Sequence, residues 1–490
     1  MLLTKIAEEL HVELPPREDL PKWEIEITDV AYDSRKVIPG ALFCCLRGEK
    51  TDGHRFARQA VDKGAAALIV EERLPLDVPQ LLVTDGREAM ARAAACFFDH
   101  PERKMTMLGV TGTNGKTSTT YMVKAVAEEA GLKVGLIGTI HNLVGDEVVE
   151  TERTTPESVD LFRLLDHMVE RGVDLVIMEV SSHALAQNRA AGIRFKAALF
   201  TNLTQDHLDY HKTFEAYRAA KKKLFYQTDL AIVNDDDPAA DYMSEGLPCP
   251  LWTMGIYKGG DFYAKSIEIT TAGASFHLFT PMGDGRVNLH ISGLFSVYNA
   301  MGTAALAVAA GIPFQTVRKG LEKLPCVVGR LQAADTFGRP FAVYVDYAHT
   351  PDALKNVLTT ARGFAKGRLI SVFGCGGDRD HGKRPIMGEI SGRNADFSVI
   401  TSDNPRSEDP MVIIDSIVEG IRRTAAAYTV IEDRRRAIHY ALDMAREGDV
   451  IVVAGKGHET YQEINGVKHH FDDREIVEDY LREGTDDLGT

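Results

Sequence analysis

Along most of the chain, short apolar runs closed by turn residues alternate with segments of helical periodicity, the pattern of parallel strands buried between layers of helix. The first block has strand-like runs at Ile25 to Val30, Ala41 to Leu46, Ala66 to Val70 and Gln80 to Val83, then a helical run from Arg87 to Phe98. It predicts a small α/β domain over residues 1–103, closed by His100-Pro101. The second block, residues 104–330, opens with the run Met105 to Val110 and a helix from Thr119 to Ala130. Runs at Val134 to Gly138, Leu175 to Val180, Ala197 to Asn202 and Leu230 to Asn234 follow, with helical patterns between them. That is a doubly wound, mostly parallel sheet. Alternation over Ser266 to Phe279 and Val287 to Ile291 predicts a few antiparallel strands at one edge, before a helix from Tyr298 through Ala310. The third block, residues 331–490, has runs at Phe341 to Val345, Leu369 to Phe373, Phe397 to Thr401 and Val450 to Ala454, a second Rossmann-like unit with a frayed tail after Arg482. The fold class expected is therefore α/β in three domains.

Length and composition agree with this reading: 490 residues, 44% hydrophobic and 26% charged, suit three globular domains. A net charge of -15 argues against nucleic acid as the main partner. The six cysteines are scattered without zinc spacing, which suits a reducing compartment. Acidic residues and prolines stand where a signal peptide would need an apolar core, and no run reaches the length of a membrane span. A soluble, cytoplasmic protein is expected.

The candidate chemistry centres on Leu108 to Ser118, a strand, a glycine-rich turn and a helix start. Glycines let the backbone approach an anion, the helix start offers free N–H groups, Lys116 can reach β- and γ-phosphates, and Thr117 can ligate Mg²⁺. The spacing is a variant, because Val110 occupies the place of the usual first glycine. Polar clusters sit at the other strand ends: Glu179 to His183, Thr201 to His207, Asn234 to Asp237, Asp346 to Pro351, Gly374 to Asp380, Asp403 to Arg406 and Gly455 to Glu459. In the first domain, Asp33-Ser34-Arg35 and the polar loop Arg47 to His54, which includes Glu49 and Lys50, read as turns or sites. Glu179 is the candidate carboxylate for Mg²⁺, and His207 a second ligand or a hydrogen-bond partner. These features suit an ATP-dependent ligase or kinase; an NTPase switch and a nucleotide-binding scaffold are the readings from other classes.

Gly112-Thr113-Asn114-Gly115-Lys116-Thr117, Glu179-Val180-Ser181-Ser182-His183, Thr201 through His211, Asp346-Tyr347-Ala348-His349-Thr350-Pro351 and Asp403-Asn404-Pro405-Arg406, in this order, resemble the Mur ligases over essentially the whole chain. The resemblance is narrowest to the branch that adds the third residue of the peptidoglycan stem peptide. It implies that ATP phosphorylates the D-glutamate side-chain carboxylate of UDP-N-acetylmuramoyl-L-alanyl-D-glutamate, and that an amino-acid amine attacks the acyl phosphate. It implies Mg²⁺ as cofactor and a monomer. Gly112, Thr113, Asn114, Gly115, Lys116, Thr117 and Ser118 are similar to the family's phosphate contacts, and Asn299, Arg330, Asp346 and His349 to its adenine, phosphate and ribose contacts. Thr117, Glu179 and His207 match metal positions, and Lys221 the place of a carbamylated lysine, although Lys221 to Lys223 also reads as a solvated charge run. Ser34, Thr154, Thr155, Ser181, Gln187 and Arg189 match positions that hold the UDP substrate. Two departures stand out: Arg153 where asparagine is expected, and Val328-Gly329-Arg330 in place of Pro-Gly-Arg.

Asp403-Asn404-Pro405-Arg406 resembles the form that selects meso-diaminopimelate, with Arg379, Gly455 and Glu459 at the remaining matching positions. Arg406 can clamp the extra carboxylate bidentately, while Asp403 and Asn404 can take the ammonium. The alternatives are the same ligase accepting L-lysine, or a ligase resembling folylpolyglutamate synthase.

Overall fold

Three sheets carry the chain in a computed structural model that describes residues 1–16, 20–48, 51–150, 153–270 and 272–486. Glu49 and Lys50 of the polar N-terminal loop, the Asp209 side chain and the last residues of the polar tail lie outside this description. Four parallel strands, Asp29–Ala31, Ala41–Cys44, Ala67–Val70 and Gln80–Leu82, form the first sheet in sequence order. The helix Gly86–Phe97 packs on it; Asp85 caps that helix by accepting from the N–H groups of Arg87 and Glu88.

The central sheet has eleven strands, and its middle explains where the polar clusters meet. Thr106–Thr111 lies between Leu175–Glu179 and Ala197–Phe200, all parallel, with Val110 opposite Glu179 and Thr111 opposite Phe200. Residues following all three strands therefore emerge side by side at the carboxyl edge, where open α/β sheets bind ligands. The strands are buried on both faces, which is why they read as continuous apolar runs. Helix Leu294–Ala309 is apolar nearly all round because it packs between the sheet and the helices Lys116–Glu129 and Phe314–Lys323.

The alternation over Ser266 to Phe279 falls in antiparallel strands as expected, a hairpin of Phe262–Thr270 with Gly273–Thr280 extended by Gly283–Leu289. Other expectations need correction here. The antiparallel strands occupy both edges rather than one, because Asn142–Val144 and Glu147–Val149 add a hairpin at the far side. The helix after the glycine loop begins at Lys116, three residues earlier than its apolar pattern, since Gly115 with φ +87° supplies the start.

The third sheet has six strands in the order Gln332–Ala333, Ala342–Asp346, Val450–Ala454, Leu369–Phe373, Phe397–Ile400, Ala427–Val430, parallel except for the first. A separate two-stranded ribbon, Tyr461–Ile464 with Val467–His470, stands beside it. Among the described residues no helix is long and apolar enough to cross a membrane.

Candidate active site

The glycine loop is closed by its own lysine. Lys116 Nζ donates to the carbonyls of Gly112 and Thr113, 2.9 Å each, and burial pushes its ammonium below the ordinary lysine range, with the Glu179 carboxylate pulling the other way. Lys221 Nζ donates to the same Gly112 carbonyl at 2.7 Å and is held far below the usual range, first by burial and then by the charge of Lys116. Two lysine side chains, Lys116 half-buried and Lys221 buried, converging on one carbonyl make a site that a polyanion would complete. This corrects the reading of Lys221 to Lys223 as a solvated run: Lys221 and Lys222 are buried, and Lys222 donates to the carbonyls of Tyr242 and Glu245. Gly112, at φ +146°, leaves no room for a Cβ, which would strike the Thr201 hydroxyl.

Beside the loop lies a chamber of about 340 Å³ lined by Asn114, Gly115, Thr117, Ser118, Asn299, Arg330 and Asp346 together with Tyr298 and Phe295. Arg330 Nη2 donates to Thr117 Oγ1 at 3.0 Å and lies over the Tyr347 ring. Asp346 accepts from the Leu331 and Ala348 N–H groups, and burial pushes its carboxyl up. Thr113 Oγ1 meets Tyr217 Oη at 3.0 Å.

On the other side of the loop, Glu179 ends its strand fully buried, accepting from Thr139 N–H and Oγ1, both 3.0 Å. Thr154 Oγ1 meets Thr139 Oγ1 at 3.0 Å. Thr155 Oγ1 donates to the Glu179 carbonyl at 2.8 Å and accepts from Ser181 N–H. Arg189 donates to the Thr155 carbonyl and to Gln187 Oε1, and pairs with Glu157 at 3.1 Å; Gln187 in turn donates to Tyr210 Oη. The structure thus brings Glu179, Thr154, Thr155, Ser181, Gln187 and Arg189 into one network. Ser34, bonded to Gln59, stands apart from it in the first domain.

A cleft of about 840 Å³ separates the second and third sheets. His207 faces it, with Asp206 at 3.3 Å and the His183 ring centroid 4.7 Å away; burial lowers its pKa to about 4. His349 is lowered to about 4 for the same reason and lines this cleft rather than the nucleotide-sized chamber. Both imidazoles are therefore neutral at pH 7. Arg379, Asp403, Asn404, Arg406, Gly455 and Glu459 come together on the third-domain wall, whereas Pro405 is not part of the lining. Burial alone would raise the Asp403 carboxyl, but Lys456, Arg434 and the Asn404 N–H outweigh it and hold it low. Gly455, at φ +121°, lets the backbone pass Asp403 Oδ2 where a Cβ would collide.

The expectation that Asn404 takes an ammonium is overturned by its partners. Its Oδ1 already accepts from Lys456 Nζ at 3.0 Å and Glu463 N–H at 2.9 Å, and its Nδ2 donates to Glu459 at 2.8 Å. Both lone pairs of Oδ1 are used, so Asn404 presents an N–H and suits an anion.

Residues that the sequence reading gave no role complete the site. Lys456 is fully buried between Asn404 and Glu459. Asp352 Oδ2 accepts from Asn114 Nδ2 at 2.9 Å and Thr204 Oγ1 at 3.0 Å, joining the two sheets. Lys456 had a signal, its place inside a polar strand-end cluster; Asp352 had none. Among the described residues no three His, Cys, Asp or Glu side chains form a metal-holding group.

Family models match the chain almost end to end: "Mur ligase family, catalytic domain" at residues 26–104, "Mur ligase middle domain" at 110–308 and "Mur ligase, glutamate ligase domain" at 329–457. The chain belongs to the Mur ligase family. A relative from Alkaliphilus metalliredigens, named "UDP-N-acetylmuramoyl-L-alanyl-D-glutamate--2,6-diaminopimelate ligase", is 48% identical over 470 residues, 94% of this chain and 95% of its own. One of the same name from Bacillus velezensis is 45% identical over 97% of this chain and 98% of its own. A solved structure titled as that ligase superposes with a TM-score of 0.70 at 34% identity, covering 98% of this chain and 99% of the other.

Proposed function

We infer that this chain is the ATP-dependent, ADP-forming ligase that joins meso-diaminopimelate to the D-glutamate side-chain carboxylate of UDP-N-acetylmuramoyl-L-alanyl-D-glutamate, in peptidoglycan precursor synthesis. One observation carries the reading: Thr204 and Asp352 line both the chamber beside the glycine loop and the interdomain cleft, so a nucleotide and an amine donor would meet across a single shared wall.

The carboxylate is a poor electrophile until it carries a leaving group, and two anions must approach each other to form it. In this reading a carboxylate oxygen attacks the γ-phosphorus and ADP leaves. Lys116 and Arg330 offset the charge, and the UDP-linked substrate lies along Ser34, Thr154, Thr155, Ser181, Gln187 and Arg189. Next, the amine nitrogen attacks the acyl carbon, the amide bond forms and phosphate departs. The amine must first lose a proton, and Asp206 and the neutral imidazole of His349 are the acceptors on the cleft wall. Mg²⁺ fits the donor set, a buried carboxylate (Glu179) and a hydroxyl (Thr117) flanking the loop, because this ion takes few protein ligands beside phosphate and water oxygens. Thr117 and Glu179 would hold it, with His207 and a carbamylated Lys221 as further ligands, and it would shield phosphate charge. The three functional units divide at residues 103/104 and 330/331, and the enzyme acts in the cytoplasm as a monomer.

The test is phosphate and amide formation by the purified chain with ATP, Mg²⁺ and the UDP-dipeptide, comparing meso-diaminopimelate, L-lysine and no amine. Amide formation with diaminopimelate far above lysine is the expected result. Phosphate release that ignores the amine would remove the ligase reading.

A further inference from the structure

The ribbon Tyr461–Ile464/Val467–His470 belongs to none of the three sheets, yet its first strand is laced to the loop Asp403 to Arg406 at every step. Gln462 Nε2 donates to the Asp403 carbonyl at 2.6 Å, and Glu463 N–H to Asn404 Oδ1 at 2.9 Å. Arg406 N–H donates to the Glu463 carbonyl at 3.0 Å, and Asn465 N–H to the Arg406 carbonyl at 2.7 Å. These bonds hold Arg406 in the left-handed region at φ +53°, which a non-glycine residue keeps only when its surroundings fix it.

The side chain is fixed as well. Arg406 Nε lies 3.3 Å from Glu463 Oε2, and Nη1 donates to the Gly377 carbonyl at 2.8 Å. With the Glu463 carboxylate paired on the Nε side and one Nη1 hydrogen given to Gly377, the Nη1/Nη2 end is left for a carboxylate that takes two hydrogens at a time. Arg406 lines the cleft, whereas Glu463 does not. The glutamate thus grips the guanidinium from behind. Without that grip Asp378 competes for it, a carboxyl held low first by its hydrogen bonds from Ser407 and then by the Arg406 charge.

We propose that Glu463 is a positioning residue that sets acceptor specificity by aiming the free end of the Arg406 guanidinium at the second carboxylate of the incoming amino acid. The proposal rests on the ligase reading above. It also has a sign that separates it from a field effect. If Glu463 acted only through its negative charge, removing that charge would tighten binding of a dicarboxylic amino acid; if it aims Arg406, removing the acceptor oxygen weakens it.

The experiment measures kcat and KM for meso-diaminopimelate and L-lysine in the full-length enzyme, the Glu463→Ala variant and the Glu463→Gln variant. Gln keeps an oxygen for Nε–H but not the charge. In Glu463→Ala the ratio of kcat/KM for diaminopimelate over lysine is expected to fall roughly tenfold, through the diaminopimelate KM, with the ATP and UDP-dipeptide KM unchanged. Glu463→Gln is expected to recover most of that loss. An unchanged or increased ratio in Glu463→Ala would overturn the proposal, as would an equal rise in every KM or a Gln variant no better than Ala. A wild-type enzyme without preference for diaminopimelate would instead remove the ligase-substrate reading itself.

Discussion

Replacing Arg434 by methionine separates fold stability from acceptor binding. Arg434 and Asp473 are both fully buried, and the guanidinium donates from Nε and Nη2 to the two carboxylate oxygens at 2.8 and 2.7 Å. Nη2 also donates to the Ala454 carbonyl at 3.0 Å and Nη1 to the Ser402 carbonyl at 3.4 Å. Ala454 ends the strand from which the Gly455 loop leaves, and Ser402 lies two residues past the strand that precedes Asp403. Arg434→Met leaves a buried carboxylate without its cation, and removing one partner of such a pair destabilises by about 3–5 kcal/mol. For a domain of this size that is a fall of roughly 6–20 °C in the melting transition. A second change, Asp473→Leu on top of it, replaces the pair by apolar groups and should recover most of the stability. It cannot restore the donors to the Ser402 and Ala454 carbonyls, so the diaminopimelate KM should stay raised while the ATP KM is normal. Calorimetry and steady-state kinetics on the three proteins decide it. A single variant that loses under about 1 kcal/mol, or a double variant that regains acceptor affinity along with stability, would refute the reasoning.

Lys116→Ala is expected to reduce ligation at least about hundredfold, measured as amide formed, because the proposed reaction loses the loop's cation beside the phosphates; near-normal turnover would contradict this. Arg406→Lys should raise the diaminopimelate KM about tenfold with the fold intact by circular dichroism, since an ammonium cannot make the bidentate pair. His349, at about 4, and His458, at about 3, stay unprotonated in the folded state while the unfolded chain takes up protons near 6.5. Their contribution is therefore fully present above pH 6.5 and is lost as pH falls toward 4, by up to about 1.4 kcal/mol per histidine per pH unit. Urea midpoints at pH 7.5 and 5 test it, and a His458→Gln variant should show the shallower fall. Asp352→Ala should raise phosphate release per amide formed severalfold, read from paired phosphate and peptide assays; a fixed ratio would show that this wall does not guard the intermediate.

What the sequence disclosed follows from which interactions are local. Leu369–Phe373 and Val450–Ala454 are legible because a strand covered on both faces is apolar at nearly every position, Ser371 being the exception. The ribbon at Tyr461–Ile464 is largely exposed and shows no such run, although Asn465-Gly466 between its strands, both at positive φ, is the turn that could have revealed it. The edge strand Ala427–Val430 was hidden in the same way by partial exposure. Glycine-loop and strand-end motifs exposed most of the site, since strand ends are where this architecture collects ligands. Asp352 and the Asn404 bonding pattern were not legible. The first depends on Asn114, 238 positions away, and the second on a lysine and a backbone N–H delivered by separate turns.

The shared wall also accounts for why two chambers are built where the second and third domains meet. An acyl phosphate is as open to water as to an amine, so the wall at the point of reaction must exist only while both substrates are enclosed. Thr204 comes from the central sheet and Asp352 from the first turn of helix Pro351–Phe364, so the wall is whole only when the two units are together. Asn114 ties the same carboxylate to the loop that cradles the nucleotide. In the proposed reaction a nucleotide at the glycine loop would act on the Asn114 contact that bridges the two sheets, and Arg330, donating to Thr117 from the segment joining them, would act in the same direction. Enclosure and activation are thereby set by one group of side chains, so the carboxylate becomes electrophilic only where the amine is already held.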